Sequence, residues 1–261
     1  MQEHHRQSIN NIVDYFRDDN SVEALLLGGS IAHGFEKESS DIDIMILVTD
    51  LYHNELSRQN KLTFLNTELC TYPGGYVDGK FIPLNFLREV AEKGSEPARF
   101  AFQGARILFS RNKSYDDIVK SIVQYPQNGK AERLRRFSAQ LEAWYWYVNE
   151  SVKHNNQYLL WLSISKLILF GGRLILTHNE LLYPFHKWFL KVLESAADKP
   201  PDMMESIGRL YKDASTDNAR QFYEMIRDFR DWGLAKGEWT TYFVQDCEWN
   251  WRDGKPPVDD L

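Results

Sequence analysis

Apolar residues in the first 112 positions follow two kinds of pattern. Between residues 6 and 19 they recur at helical spacing, with Ile9, Ile12, Val13 and Phe16 on one face. Elsewhere they form short continuous runs, which are typical of buried strands. These runs predict strands at residues 22–27, 39–48, 76–82 and 106–109.

After residue 113 the strand pattern fades and helical spacing replaces it. One amphipathic helix is marked by Leu134, Phe137, Leu141, Trp144 and Val148. Further helices are predicted at residues 158–176, which are apolar on nearly all sides, and at residues 184–193 and 219–232. We therefore predict an α+β protein with three segments: a small mixed sheet with helices at 1–112, a linker at 113–130 and an all-α helical bundle at 131–261.

Composition supports two differently built regions and excludes several classes of protein. All eight tryptophans lie at or after Trp144. With 43% hydrophobic and 26% charged residues, the chain is neither disordered nor of low complexity. The net charge of −6 argues against a general nucleic-acid partner, which needs a basic face. Residues 1–112 carry 16 acidic against 11 basic side chains, which suits either a cation site or a solvated acidic surface.

No membrane association is predicted, and we expect a cytoplasmic protein. The first ten residues lack the apolar core of a secretory signal. The most apolar stretch, 158–176, contains Lys166 and Arg173, and a charge at the centre of a bilayer costs about 2.5–3.5 kcal/mol. Two distant cysteines, Cys70 and Cys247, exclude a disulfide framework.

The pattern that indicates a functional site is a glycine-rich turn followed by two closely spaced carboxylates. Gly28-Gly29-Ser30 lies between a predicted strand and a short helix, where exposed backbone N–H groups attract phosphate. Asp41 and Asp43 are alternate residues at a strand, so both carboxylates project from one face. Two adjacent like charges are costly unless a cation neutralises them, and carboxylate oxygens suit Mg²⁺. Together the two segments predict a site for a nucleoside triphosphate.

These segments, Leu27-Gly28-Gly29-Ser30 and Ser40-Asp41-Ile42-Asp43-Ile44, resemble the signature of the DNA polymerase beta superfamily of nucleotidyltransferases. Among its members, the chain is most similar in kind to small bacterial aminoglycoside and lincosamide adenylyltransferases. The resemblance implies a catalytic domain at 1–112 in which two Mg²⁺ ions are held by Asp41, Asp43 and a third carboxylate. It also implies ATP as the nucleotide donor.

The third carboxylate has two candidates. Asp78 lies on the predicted strand 76–82, although an Asp-Gly pair at 78–79 is also typical of a hairpin turn. Glu68 is the alternative, if the segment before it, where the pattern is weaker, forms the strand next to Asp43.

The helical region contains further candidate ligands. Lys166 and Arg173 are seven residues apart on one stripe of an apolar helix, and we expect them to bind nucleotide phosphates, with two alternatives: their charged ends extend to the surface, or they pair with a carboxylate in the core. Glu142, Trp144 and His178 are candidate contacts to the acceptor, with core packing as the alternative for the aromatic segment.

The sequence thus predicts an enzyme that transfers a nucleoside monophosphate, most simply AMP from ATP, to a hydroxyl of a small molecule and releases pyrophosphate. The acceptor would be an aminoglycoside- or lincosamide-like antibiotic, another metabolite or a protein side chain. One alternative is a non-catalytic nucleotide-binding or regulatory module, and another is an antitoxin-like protein adenylyltransferase. A third is a ribonuclease bundle similar to the HEPN toxins, since Arg173 and His178 have their Arg-x4-His spacing.

Overall fold

The structure, a computed structural model, describes residues 1–252 and 254. They divide into two compact units, Met1–Gln124 and Tyr125–Leu261, which we call the N-terminal and C-terminal units. The boundary lies within the segment 113–130 that the sequence indicated as a linker. The first half of that segment is a helix, Ser114–Ile122, which buries Tyr115, Val119 and Ile122 in the N-terminal core. The linker prediction was therefore too long.

The N-terminal unit combines a mixed sheet with helices, which confirms the predicted fold class. Its helices are α1 Glu3–Arg17, α2 Gly29–His33, α3 Asp50–Arg58, α4 Leu84–Lys93, α5 Glu96–Phe100 and α6 Ser114–Ile122. Its strands are β1 Val22–Leu27, β2 Ile42–Val48, β3 Thr63–Asn66, β4 Val77–Pro83 and β5 Arg106–Ser110.

The five strands form one sheet in the order β3-β4-β2-β1-β5. Only the central β2–β4 pair is parallel; the other pairs are antiparallel. Alternation of side chains along the strands gives the sheet two apolar faces. One face packs against α1 through Ile12 and Phe16, and the other carries Leu87 of α4 and Ile122 of α6. The sheet is therefore held between two helical layers.

Sequence periodicity placed four of the five strands within two or three residues of their observed ends. It missed β3, whose four residues are alternately exposed and half-buried at the edge of the sheet. Such a short edge strand has no apolar run to reveal it, because it buries only one face.

The C-terminal unit is helical in the residues that the structure describes. Its α-helices are α7 Lys130–Lys153, α8 Gln157–His178, α9 Phe189–Glu194, α10 Met203–Lys212, α11 Thr216–Arg227 and α12 Trp239–Phe243. A π-helix, Val244–Glu248, and a 3₁₀ turn, Asn250–Arg252, follow. The helix predicted to open at Pro184 begins only at Phe189, and α10 was not predicted.

Helices α7 and α8 pack along each other and together form the centre of this unit. The length of α8 and its mean hydropathy of 1.7 over 18 residues would also suit a membrane span, but half of that window is buried inside the protein. Such burial is typical of the core helix of a folded domain.

Close packing around α8 depends on a glycine. A Cβ added at Gly172 would lie 2.2 Å from the ring of Phe189, whereas one at Gly208, in α10, would meet nothing within 4 Å. We expect Gly172→Ala to lower the free energy of unfolding by about 1–3 kcal/mol through overpacking. Gly208→Ala, the matched control, should raise it by about 0.5–1 kcal/mol because alanine favours a helix. Urea unfolding measures both changes, and equal signs for the two variants would contradict this packing.

The fully buried His5 predicts a pH dependence of stability. Burial, chiefly, lowers the pKa of His5 below its ordinary value of 6.5. The unfolded chain then binds a proton more readily than the folded one, so stability should fall as the pH drops below about 6.5. In urea unfolding at pH 7.5 and 5.5, His5→Phe should lose less stability on acidification than the wild type. An identical loss would show that His5 is not responsible.

Candidate functional site

Two neighbouring strands bring three carboxylates together. Asp43 on β2 is paired in register with Asp78 on the parallel strand β4. Asp41 lies just before the start of β2. One carboxylate oxygen from each of the three residues lies within 4.8 Å of the others. The spacing of the strands in the sheet therefore builds the cluster that the sequence predicted from Asp41, Asp43 and Asp78.

The alternation of side chains along the strands explains why these carboxylates remain accessible. Ile42, Ile44 and Val77 point into the core, whereas Asp43 and Asp78 are half-buried on the other face. The face that carries Asp43 is open only at this end of β2, because Leu47, further along the same face, is buried in the core.

Asp78 lies inside a strand, not in the hairpin turn that an Asp-Gly pair can form. Gly79 is paired with Ile44 on one side and Phe64 on the other. A Cβ at Gly79 would lie 2.9 Å from the Cβ of Phe64. The glycine is explained by this close approach, so it does not mark a turn. Glu68 is exposed two residues after β3, and the cluster does not include it.

Gly29 directly contacts the carboxylate cluster. Its φ of +60° lies in the left-handed region, and a Cβ there would come within 1.7 Å of Oδ2 of Asp43. The adjacent Gly28 N–H donates to the carbonyl oxygen of Asp43 over 2.9 Å. The glycine-rich segment and the carboxylates are therefore one continuous site.

Ser30 contributes a buried hydroxyl next to this segment. Its side chain is 6% exposed, and no described residue forms a hydrogen bond with its Oγ. A buried polar group without a partner is costly, so an unpaired hydroxyl at this position suits contact with a ligand.

Tyr76 is a site residue that sequence reasoning missed. Its hydroxyl donates to Asp41, and this bond, reinforced by the negative charges of Asp41, Asp78 and Asp43, raises the pKa of the phenol. The neighbouring Tyr72 hydroxyl donates to the carbonyl oxygen of Ser40 over 2.6 Å. One signal was available, because Tyr76 and Asp78 are two residues apart at a strand and so share a face.

The donor set is chemically suited to a divalent cation. Three carboxylates supply hard oxygen ligands, and their mutual repulsion is relieved when a cation binds. Asp41, Asp43 and Asp78 are the residues that could hold it.

The predicted phosphate ligands of the C-terminal unit have different surroundings. Lys166 is half-buried, its Nζ lies 5.9 Å from the centroid of the Trp144 ring, and no carboxylate among the described residues pairs with it. The guanidinium of Arg173 lies 4.4 Å from the ring centroid of Phe137 and 4.2 Å from that of Tyr183. Both remain predicted nucleotide ligands.

The three predicted acceptor contacts do not line one cavity. Trp144 lines a cavity with Lys166, and Glu142 lines another, where it accepts from the hydroxyl of Tyr223. His178 bonds to Asp198 over 2.5 Å and to Arg230. These three contacts also remain predictions.

Comparison with known proteins finds a family match within the N-terminal unit. Residues 10–94 match the family model for polymerase beta nucleotidyltransferases. These residues form a nucleotidyltransferase domain of the polymerase beta superfamily. This domain contains every residue of the site built above, from Gly28 to Asp78.

Among solved structures, the chain is similar to a nucleotidyltransferase-like protein from Exiguobacterium sibiricum 255-15, with a TM-score of 0.49 and 10% sequence identity. That alignment covers 97% of this chain and 81% of the other. No curated protein matches the sequence of the chain.

Proposed function

We propose that the chain is a Mg²⁺-dependent nucleotidyltransferase that transfers AMP from ATP to a hydroxyl of a small-molecule acceptor and releases pyrophosphate. The observation that carries this proposal is the cluster of Asp41, Asp43 and Asp78 in contact with Gly29. The third carboxylate, Asp78, also provides a base for the hydroxyl of an acceptor.

Each element of the site has a role in the proposed reaction. Asp41 and Asp43 hold the cations, with Asp78 as the third ligand. When bound, Mg²⁺ supplies charge neutralisation for the phosphates and for the entering and leaving oxygens. The segment 28–30 receives the triphosphate, and the buried hydroxyl of Ser30 donates to a phosphate oxygen. Because Gly29 has no side chain, the backbone of this segment can lie directly against the Asp43 carboxylate.

The proposed chemistry is an in-line displacement at the α-phosphorus. The acceptor oxygen forms a bond to that phosphorus while the bond to the bridging oxygen of the leaving pyrophosphate breaks. Asp78 takes the proton of the acceptor hydroxyl. Lys166 and Arg173 are proposed to bind nucleotide phosphates, and Glu142, Trp144 and His178 are proposed to contact the acceptor. We expect the enzyme to act in the cytoplasm.

A screen for pyrophosphate release tests the function. The purified chain would be incubated with Mg²⁺, ATP or GTP, and hydroxylated compounds that include aminoglycoside and lincosamide antibiotics. Acceptor-dependent pyrophosphate release, with a mass increase of one nucleoside monophosphate on the acceptor, is the expected result. Metal-dependent nucleotide binding without release for any acceptor would instead favour a regulatory module.

A further inference from the structure

A cleft of about 560 Å³ opens at the edge of the catalytic sheet. Its lining residues come from β3 and the segment that connects β3 to β4: Leu65, Thr67, Tyr72, Gly74, Gly75 and Tyr76. Leu65 is 73% exposed on this edge strand, so its side chain is available to a ligand.

The cleft adjoins the carboxylate cluster at two points. Leu65 is paired with Asp78 across β3 and β4, so the two side chains share a face of the sheet. Tyr76, which lines the cleft, donates its hydroxyl to Asp41. A molecule in the cleft would therefore reach the carboxylates without crossing any other part of the domain.

The order of the strands determines which reactant belongs in the cleft. Along the sheet the relevant positions are Leu65 on β3, Asp78 on β4, Asp43 on β2 and then the segment 28–30 that follows β1. Leu65 is two strands away from Asp43, about 10 Å at the usual strand spacing. If the segment 28–30 holds the triphosphate, pyrophosphate leaves on the β1 side. The attacking hydroxyl must then enter in line from the β3 side.

The chemistry of the cleft restricts the acceptor. None of the six described lining residues carries a formal charge. Its walls offer an aliphatic side chain, two phenol rings and glycine backbone, which favour burial of an apolar or aromatic group. The cleft provides no carboxylate for a protonated amine, because the nearby aspartates are engaged with cations in the proposed reaction.

The wall of the cleft is held in place before any ligand binds. The hydroxyl of Tyr72 is fixed by its bond to Ser40. A Cβ at Gly75 would lie 2.6 Å from the Tyr72 ring, so the segment packs closely against it. A preformed surface loses little conformational freedom on binding.

From these observations, and resting on the proposed function, we propose that this cleft is the acceptor subsite and that it selects a hydroxyl attached to an uncharged apolar or aromatic group. It discriminates against polycationic acceptors such as aminoglycosides. Leu65 is the side chain that determines this specificity.

Binding of two probe acceptors tests the proposal. Saturation-transfer NMR would measure binding of 4-nitrophenyl β-glucoside, a neutral aryl glycoside, and of kanamycin, a polycation. Both titrations would contain Mg²⁺ and α,β-methylene-ATP, which cannot be cleaved at the reacting bond. We expect the aryl glycoside to bind more tightly and Leu65→Asp to weaken its binding by about tenfold. Leu51→Asp, which changes an 83% exposed leucine on α3 outside the cleft, should have no effect.

Three results would overturn the proposal: tighter binding of kanamycin, no binding of either probe, or equal effects of the two leucine variants. A nucleotide titration on the same samples separates this failure from failure of the proposed function. If α,β-methylene-ATP binds with Mg²⁺ and Asp43→Asn abolishes that binding, a negative probe result contradicts the acceptor subsite alone. If the nucleotide does not bind, the proposed function itself fails.

Discussion

Asp43→Asn is expected to lower the rate of nucleotidyl transfer by about 10³-fold or more, without unfolding the domain. Asp43 lies at the centre of the carboxylate cluster and touches the glycine-rich segment, so its loss removes charge where the cations and phosphates meet. Stabilisation of transition-state charge by metal ions is worth several kcal/mol, which corresponds to this factor. The change is measured from initial rates of pyrophosphate release, in an assay that uses the acceptor identified by the screen described above.

Two further variants sharpen this experiment. Asp14→Asn removes an exposed carboxylate from α1 and should leave the rate unchanged. Asp78→Asn should lower the rate strongly yet retain more Mg²⁺-dependent nucleotide binding than Asp43→Asn, because Asp78 is proposed to accept the hydroxyl proton. Full activity of Asp43→Asn would exclude the proposed metal site.

Gly29→Ala is expected to remove activity as completely as Asp43→Asn and also to destabilise the domain. The new Cβ would occupy the position of the Asp43 carboxylate, only 1.7 Å from Oδ2. In addition, the backbone at residue 29 has a φ of +60°, which costs a residue with a side chain about 1 kcal/mol or more. The variant must therefore displace either the carboxylate or its own backbone.

Gly34→Ala separates these two effects. Gly34 has a similar φ of +70°, but a Cβ there would meet nothing within 4 Å. This control should show the backbone cost in thermal unfolding and retain its activity. If Gly29→Ala and Gly34→Ala had equal activities, the contact between Gly29 and Asp43 would not matter for the reaction.

A period-two pattern in the sequence was sufficient to predict that Asp41 and Asp43 lie side by side on a strand. Asp41 and Asp43 alternate with buried isoleucines, and an alternation of this kind can only place both carboxylates on one face of a strand. Short runs of residues with strand character located β1, β2, β4 and β5. Helix α7 was predicted from its 3.6-residue periodicity, and α8 from a long stretch that is apolar on nearly all sides.

Contacts between distant segments were not predictable in this way. Asp78 and Glu68 were both candidates for the third carboxylate, because the sequence around each of them does not show which strand lies beside it. In the structure, β2 and β4 pair in parallel and Asp78 lies in register with Asp43, so Asp78 is the third carboxylate of the cluster. The same pairing places Gly79 inside a strand, where it closely approaches Phe64 and does not form a turn.

The sequence by itself determined the class of fold, the shared strand face of Asp41 and Asp43, and the glycine-rich turn at 28–30, because each depends on residues at most a few positions apart. Only the tertiary structure decided the third carboxylate, the bond from Tyr76 to Asp41, the contact of Gly29 with Asp43, and the cleft at Leu65. These features depend on strand order and register, which are set by the packing of the whole sheet between its helical layers.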